Sequence, residues 1–493
     1  MHKPFPAGAL ALALTLPAAA WAAGDPSSAS SAADVEALRR EIGAMRADYE
    51  ARLKALEARV RTAEAAAATA TAAPSAGAPG WGSAPAAAAA TGASTAPAAA
   101  AAPAIAAAAP TATAGASGGA NSFNPAVSLI LSGGYTRTQR DPAGYAITGF
   151  PNSPDNEIGP GERGFTLGET ELTFSASVDP WFRGAATLAL EPDNSVSLEE
   201  AFVESTSLGY GLTAKAGRFF SNVGYLNTQH AHVWDFVDSP MAYQALLGSQ
   251  YANDGAQLRW LAPTDTFLEL SAEAGRGSAY PGTDTNGNGA GMFALGAHTG
   301  GDVGTSHSWR AGVSMLQAKA ADQTLAGMDT MGSPFDSAFT GRTRVWIADG
   351  VWKWAPEGNA ARTSFKLQGE YLHSQRSDNL VVDPAAAAVA GDYDSTQSGW
   401  YLQGVYQFAS RWRVGLRTER LDAGTPAFSA GNELVANNGY APTKNSLLLE
   451  YAPSEFSRIR VQLARDEARQ GQPDNQIWLQ YQMSLGAHGA HSY

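Results

Sequence analysis

Cysteine is absent from all 493 residues. Its absence excludes disulfides and any thiolate-held metal or redox centre, and it suits a chain exported through an oxidising compartment. Long apolar runs are missing too. One mostly apolar stretch lies at Ala7 to Ala20, and no later segment holds 18 uninterrupted apolar residues, so helical membrane spans are excluded. Basic charge is scarce, with 33 Lys and Arg against 46 Asp and Glu and a formal net charge of −13. Nucleic acid is therefore not an expected partner. No nucleophile stands at a recognisable spacing from a base, and no glycine motif cradles phosphate, so no enzyme and no cofactor are expected. What the chain does have is 52 Gly, 12 Trp and 16 Tyr, a composition of strands punctuated by turns. If such a chain enters a membrane, it must do so as a closed β-barrel.

The first 120 residues divide into three parts. Residues 1–23 read as a secretory signal peptide with a small-x-small cleavage site at Ala20-Trp21-Ala22. In 24–64, Val35, Leu38, Ile42, Met45 and Tyr49 step by 3 and 4, and Leu53, Leu56 and Val60 resume the step one residue late. That is the seam of a short α-helical coiled coil; a lone amphipathic helix lying on another surface is the alternative. Residues 65–120 are Ala, Pro, Thr, Gly and Ser with almost no charge, a disordered linker whose prolines break the Ala runs.

From Ala126 the period changes to two. Leu172, Phe174, Ala176 and Val178 alternate with Glu171, Thr173, Ser175 and Ser177, and Ile477, Leu479, Tyr481, Met483 and Leu485 alternate with Trp478, Gln480, Gln482 and Ser484. Sixteen such runs lie between 126–135 and 475–485, which predicts an all-β fold, a transmembrane antiparallel barrel over 121–493. Connections alternate between short turns and long loops, the long ones at 136–168, 219–254, 276–290, 317–343, 374–397 and 420–443. Trp181, Trp260, Trp309, Trp352, Trp354 and Trp412 all lie beside short turns, as an interfacial aromatic girdle requires. An even strand count puts both ends on the short-turn side, so the coiled coil is expected in the periplasm.

The cleaved signal, the coiled coil and the sixteen-strand pattern with a long third loop resemble the trimeric bacterial porins. The run Ala216-Gly217-Arg218-Phe219 entering that loop and Asp254-Gly255-Ala256-Gln257-Leu258 leaving it resemble the phosphate-selective porin family. The resemblance implies that the third loop, 219–254, folds inward as a constriction and that the barrel is a homotrimer in the outer membrane of a Gram-negative bacterium.

The loop supplies Arg218, His230, His232, Asp235 and Asp238 as constriction residues. Strand parity places Arg183, Lys215, Arg259, Arg310, Lys366, Arg413, Arg417, Arg458 and Arg460 on the lumen wall, against Glu171, Glu370, Glu419 and Glu450. A basic wall favours anions in a wet pore; alternatively, these cations pair with loop carboxylates and brace the loop. His230 and His232, two apart on an extended chain, can reach one metal with Asp235 or Asp238, or can simply hydrogen-bond. Asp284, Asn286 and Asn288 form a possible Ca²⁺ loop. The function expected is passive diffusion of small hydrophilic solutes. Two alternatives stand beside it: a zinc-related uptake barrel using the histidines, and a tether from outer membrane to cell wall.

Overall fold

The computed structural model describes residues 125–486, apart from 192–194, 329–333, 384, 386, 436 and 438. The signal peptide, coiled coil and linker expected before residue 120 lie outside the described residues.

The sheet opens with β1 (Ala126–Thr138), a four-residue piece β2 (Gly164–Leu167) and β3 (Thr170–Ser177). A low wall follows in β4 (Phe182–Leu190), β5 (Val196–Ser205), β6 (Leu212–Phe220), β7 (Ala252–Leu261) and β8 (Phe267–Gly275). Strand β9 (Met292–Val303) leads to a tall wall made of β10 (His307–Met328), β11 (Pro334–Trp354), β12 (Ser364–Val382) and β13 (Val389–Ala409). The circle is completed by β14 (Trp412–Asp422), the two-residue β15 (Ala427–Phe428), β16 (Thr443–Ser454), β17 (Ser457–Glu467) and β18 (Asp474–Gly486). β1 pairs antiparallel with β3 on one side and β18 on the other, so the sheet closes. Without the short pieces β2 and β15, this is a barrel of sixteen strands.

Closure removes the open edges that a flat sheet would carry. The outer face is apolar on every wall, from Leu131, Val203 and Leu258 round to Leu416, Leu449 and Leu479. On β13 the exposed aromatics Trp400 and Phe408 bracket Leu402 and Tyr406. Their spacing is about 26 Å along the strand at ~3.3 Å per residue, or about 20 Å along the axis at a tilt of ~40°. That is close to the height of a lipid-facing apolar band.

Two segments expected as long loops, 317–343 and 374–397, are instead mostly strand, the upper parts of β10 to β13. Above the band the two faces exchange character. Arg342, Arg344, Gln375, Ser377 and Asp394 point outward, while Leu325, Phe339, Leu380, Val382 and Tyr393 pack inward with Phe428 and Tyr280. A strand with a polar outer face reads as loop to any search for lipid-facing alternation.

Candidate functional site

The third loop, residues 221–251, enters the barrel and is bonded to walls on opposite sides. Its neck is tied by Asn227, whose Nδ2 donates to the carbonyls of Ser221 and Tyr251 at 2.8 and 2.9 Å. The side-chain oxygen of Asn227 accepts from Tyr251 N at 2.7 Å. Gly224 has φ +67, and a Cβ there would strike Glu370 and Tyr243, so the turn requires glycine.

Inside, a short helix α1 (Met241–Leu247) has all seven residues buried. Pro240 precedes it and Gly248, at φ +66, ends it. Tyr243, Leu246 and Leu247 pack with Ile347 and Leu372 of the tall wall, Leu421 of β14 and Phe150 of the first loop. An apolar cluster thus sits within the barrel at the long-loop end.

Loop backbone buried in this way needs partners, and wall side chains provide them. Glu273 accepts from Asn222 N at 2.7 Å, Ser314 from Gly224 N at 2.8 Å, and Gln462 from Val237 N at 2.8 Å. Glu419 accepts from Met241 N at 2.5 Å, at the positive end of α1. Glu370 accepts from Tyr225 N and Leu226 N at 3.0 Å and from the hydroxyls of Tyr243 and Tyr401 at 2.7 and 2.5 Å. Arg460 Nη1 donates to the Trp234 carbonyl at 2.7 Å, and Arg458 donates to the His232 carbonyl.

The acidic end of the loop meets cations. Asp235 is paired with Lys366 at 2.5 Å and Arg413 at 3.5 Å. Burial opposes its charge, but those two cations outweigh it and hold the carboxyl at about 2. Asp238 is paired with Arg417 at 2.7 Å and Lys444 at 2.6 Å. Burial is outweighed there too, and Asp238 lies below the ordinary carboxylate range. The Asp238 pairs are enclosed, whereas Lys366 and Arg413 at Asp235 stay part-exposed.

The histidine end meets acids. His232 Nδ1 is 2.6 Å from Glu171 Oε1. His230 Nδ1 is 3.3 Å from both Glu171 Oε2 and Glu199 Oε2, and its Nε2 is 3.0 Å from Glu200 Oε2. Burial disfavours the charged form of His230, yet its hydrogen bonds to Glu171, Glu199 and Glu200 hold it well above the usual histidine value. For His232 burial prevails over the pull of Glu171, and His230 and Arg458 push it further down. Neighbouring Glu169, outside the strands, is pushed up to about 10 by burial, then by its hydrogen bond to Glu199 and the charges of Glu199 and Glu171.

The remaining wall cations collect near the short-turn rim. Arg183, Lys215 and Arg259 all lie within 3.6 Å of Glu204. Arg310 faces the Tyr225 ring at 5.5 Å. Arg218, expected in the constriction, is on the other face. Lys215 points inward, so alternation turns Arg218 outward with Leu212, where its half-exposed guanidinium pairs with Asp254 at 2.6 Å. The runs that carry the resemblance to phosphate-selective porins therefore supply an outer-face pair. Asp284 is held by Arg276 at 2.6 Å and caps Asn286 N at 2.9 Å, a surface turn.

Residues missed in sequence were Lys444, Glu199, Glu200, Glu204, Glu273 and Gln462. Lys444 shares the parity of inward Glu450, and strand alternation was signal enough for it. Glu199 had no such signal. Its neighbours Glu200 and Leu198 pair with Thr187 and Leu188 in turn, which leaves Glu199 as a bulge.

No family model matches the chain. A protein of Aquifex aeolicus (strain VF5), described as uncharacterized, is 29% identical over 403 residues, covering 76% of this chain and 80% of its own length. Among solved structures, the loop L8 deletion mutant of OmpT, an outer membrane protein of Vibrio cholerae, aligns at a TM-score of 0.45 and 10% identity, covering 73% of this chain and 99% of its own. The anion-selective porin from Comamonas acidovorans aligns at 0.44 and 10%, with 73% and 99% covered. The outer membrane channel DcaP of Acinetobacter baumannii aligns at 0.42 and 12%, with 73% and 97% covered. Likenesses at these scores carry no functional argument.

Proposed function

We propose that this protein is an outer-membrane diffusion channel for small hydrophilic solutes, with a mild preference for anions. One observation carries the reading. Arg183, Lys215, Arg259, Arg310, Lys366, Arg413 and Arg458 all lie within three residues of the short-turn end of their strands, on the inward face. Six of them keep side-chain exposures of 13 to 24% below the buried loop. A ring of part-exposed cations inside an apolar-coated barrel is a basic vestibule, which lowers the entry barrier for anions. Among the described residues, Arg183, Lys215 and Arg259 gather at Glu204, and Lys366, Arg413 and Arg458 at Asp235 and Glu450. In this reading the short-turn rim faces the periplasm and the chain acts as a homotrimer.

Purified protein in a planar bilayer under a KCl gradient tests it. Steady channels whose reversal potential favours chloride are expected. A reversal favouring potassium overturns the anion preference, and absence of conductance overturns the channel.

A further inference from the structure

We propose that His230, His232, Glu171 and Glu199 form a binding site for one divalent transition ion of the Zn²⁺ class, which clamps the third loop to β3 and β5. The donors come from three separate elements: Glu171 from β3, Glu199 from β5 and the histidines from the loop. The nitrogens of His230 and His232 and a carboxylate oxygen of Glu171 lie within 4.8 Å of one another, and Glu169, Glu171 and Glu199 satisfy the same limit. Donors about 2.1 Å from a tetrahedral ion stand about 3.4 Å apart. The 3.3 Å separations of His230 Nδ1 from Glu171 and Glu199 match that edge.

Two further observations support the site. Glu171 is 2% exposed, and its Oε2 faces His230 Nδ1 at 3.3 Å, the spacing two ligands of one ion would keep. The second is the bulge at Glu199. Regular alternation would send Glu199 outward when Glu200 points in; the bulge turns both successive carboxylates toward His230. Glu200 then accepts from His230 Nε2, which orients the ring so that Nδ1 serves as donor. Two imidazoles with carboxylates suit Zn²⁺ better than Ca²⁺ or Mg²⁺, which take oxygen alone. Glu169, Glu199 and Glu200 crowd the imidazoles and Glu171.

The site does not depend on conduction, so binding is measured on tag-free, full-length protein in detergent micelles after chelator treatment. Titration calorimetry with ZnCl₂ is expected to show one ion per chain at micromolar affinity or tighter, with no binding of CaCl₂ or MgCl₂ at the same concentrations. His232→Gln and Glu199→Gln, each checked for the wild-type β-sheet circular dichroism spectrum, are expected to weaken binding at least ten-fold. Asp284→Asn, on the surface turn, is expected to leave it unchanged. Wild-type protein that binds no zinc overturns the proposal, as does equal affinity in Glu199→Gln. If His232→Gln does not fold, the Glu199→Gln comparison decides alone.

Discussion

The two ends of the third loop are held by opposite chemistry. At 235–238 the loop is acidic and the wall basic; at 230–232 the loop carries imidazoles and the wall is acidic. Charge balances at the first end within the protein, because Asp238 meets Arg417 and Lys444 while Glu419 takes the other face of Arg417. At the second end His230 stands among three wall carboxylates, Glu171, Glu199 and Glu200. The difference teaches that one end is a structural bolt that closes with protein alone, whereas the other is built to take something in addition.

The strongest way to break the comparison is Asp238→Asn. Arg417 then keeps only Glu419 and Lys444 only the more distant Asp466 at 3.4 Å among the described residues, a loss below the about 3–5 kcal/mol of a fully unpaired buried charge. The acidic end should release while the barrel persists, seen as protease clipping within 234–240 and a several-fold rise in single-channel conductance. Unchanged clipping would mean that apolar packing of α1, rather than charge, holds the loop.

Next in size is Glu370→Gln. One acceptor oxygen replaces two that serve two backbone amides and two tyrosine hydroxyls, a loss of about 2 kcal/mol. Hydrogen exchange at Tyr225 and Leu226 should speed up while exchange at 235–238 stays slow.

pH separates the ends without mutation. The depressed Asp235 contributes anchoring that is complete above its ordinary value, about 4, and is lost as pH falls through about 2. His230 is raised, so its contribution in metal-free buffer is complete below the ordinary histidine value, about 6.5, and is lost as pH rises through the elevated one. Acid should therefore loosen 235–238 first and alkali 230–232 first. Exchange that quickens at both ends together would show one cooperative unit.

The smallest effect is expected for Arg218→Ala. The pair with Asp254 is half-exposed on the outer face, so thermal stability should move by about 1 kcal/mol or less and reversal potential not at all. A shift in selectivity would return Arg218 to the solute path.

Much of this molecule was readable because β-structure against lipid has a period of two. Lumen parity found Arg183, Lys366, Arg413 and Arg460 without a structure, since one face must be apolar and the other is free to be charged. The same rule, applied to Lys215, would also have moved Arg218 outward. It failed where the lipid constraint ends. Above the band, Phe339 and Leu380 turn inward and polar residues outward, so strand resembles loop. It failed again at Glu199, because a bulge is a relation between two strands and leaves no mark in one.

Sequence alone determined the all-β class, the number of spanning strands and the side of the wall on which most charges stand, because each follows from local alternation and turn spacing. Tertiary structure decided which charges meet. Asp238 lies 206 residues from Lys444 in the chain and His232 lies 61 from Glu171, and only closure of the barrel around the loop brings them within bonding distance. Coulomb and hydrogen-bond energies depend on that distance, not on order along the chain.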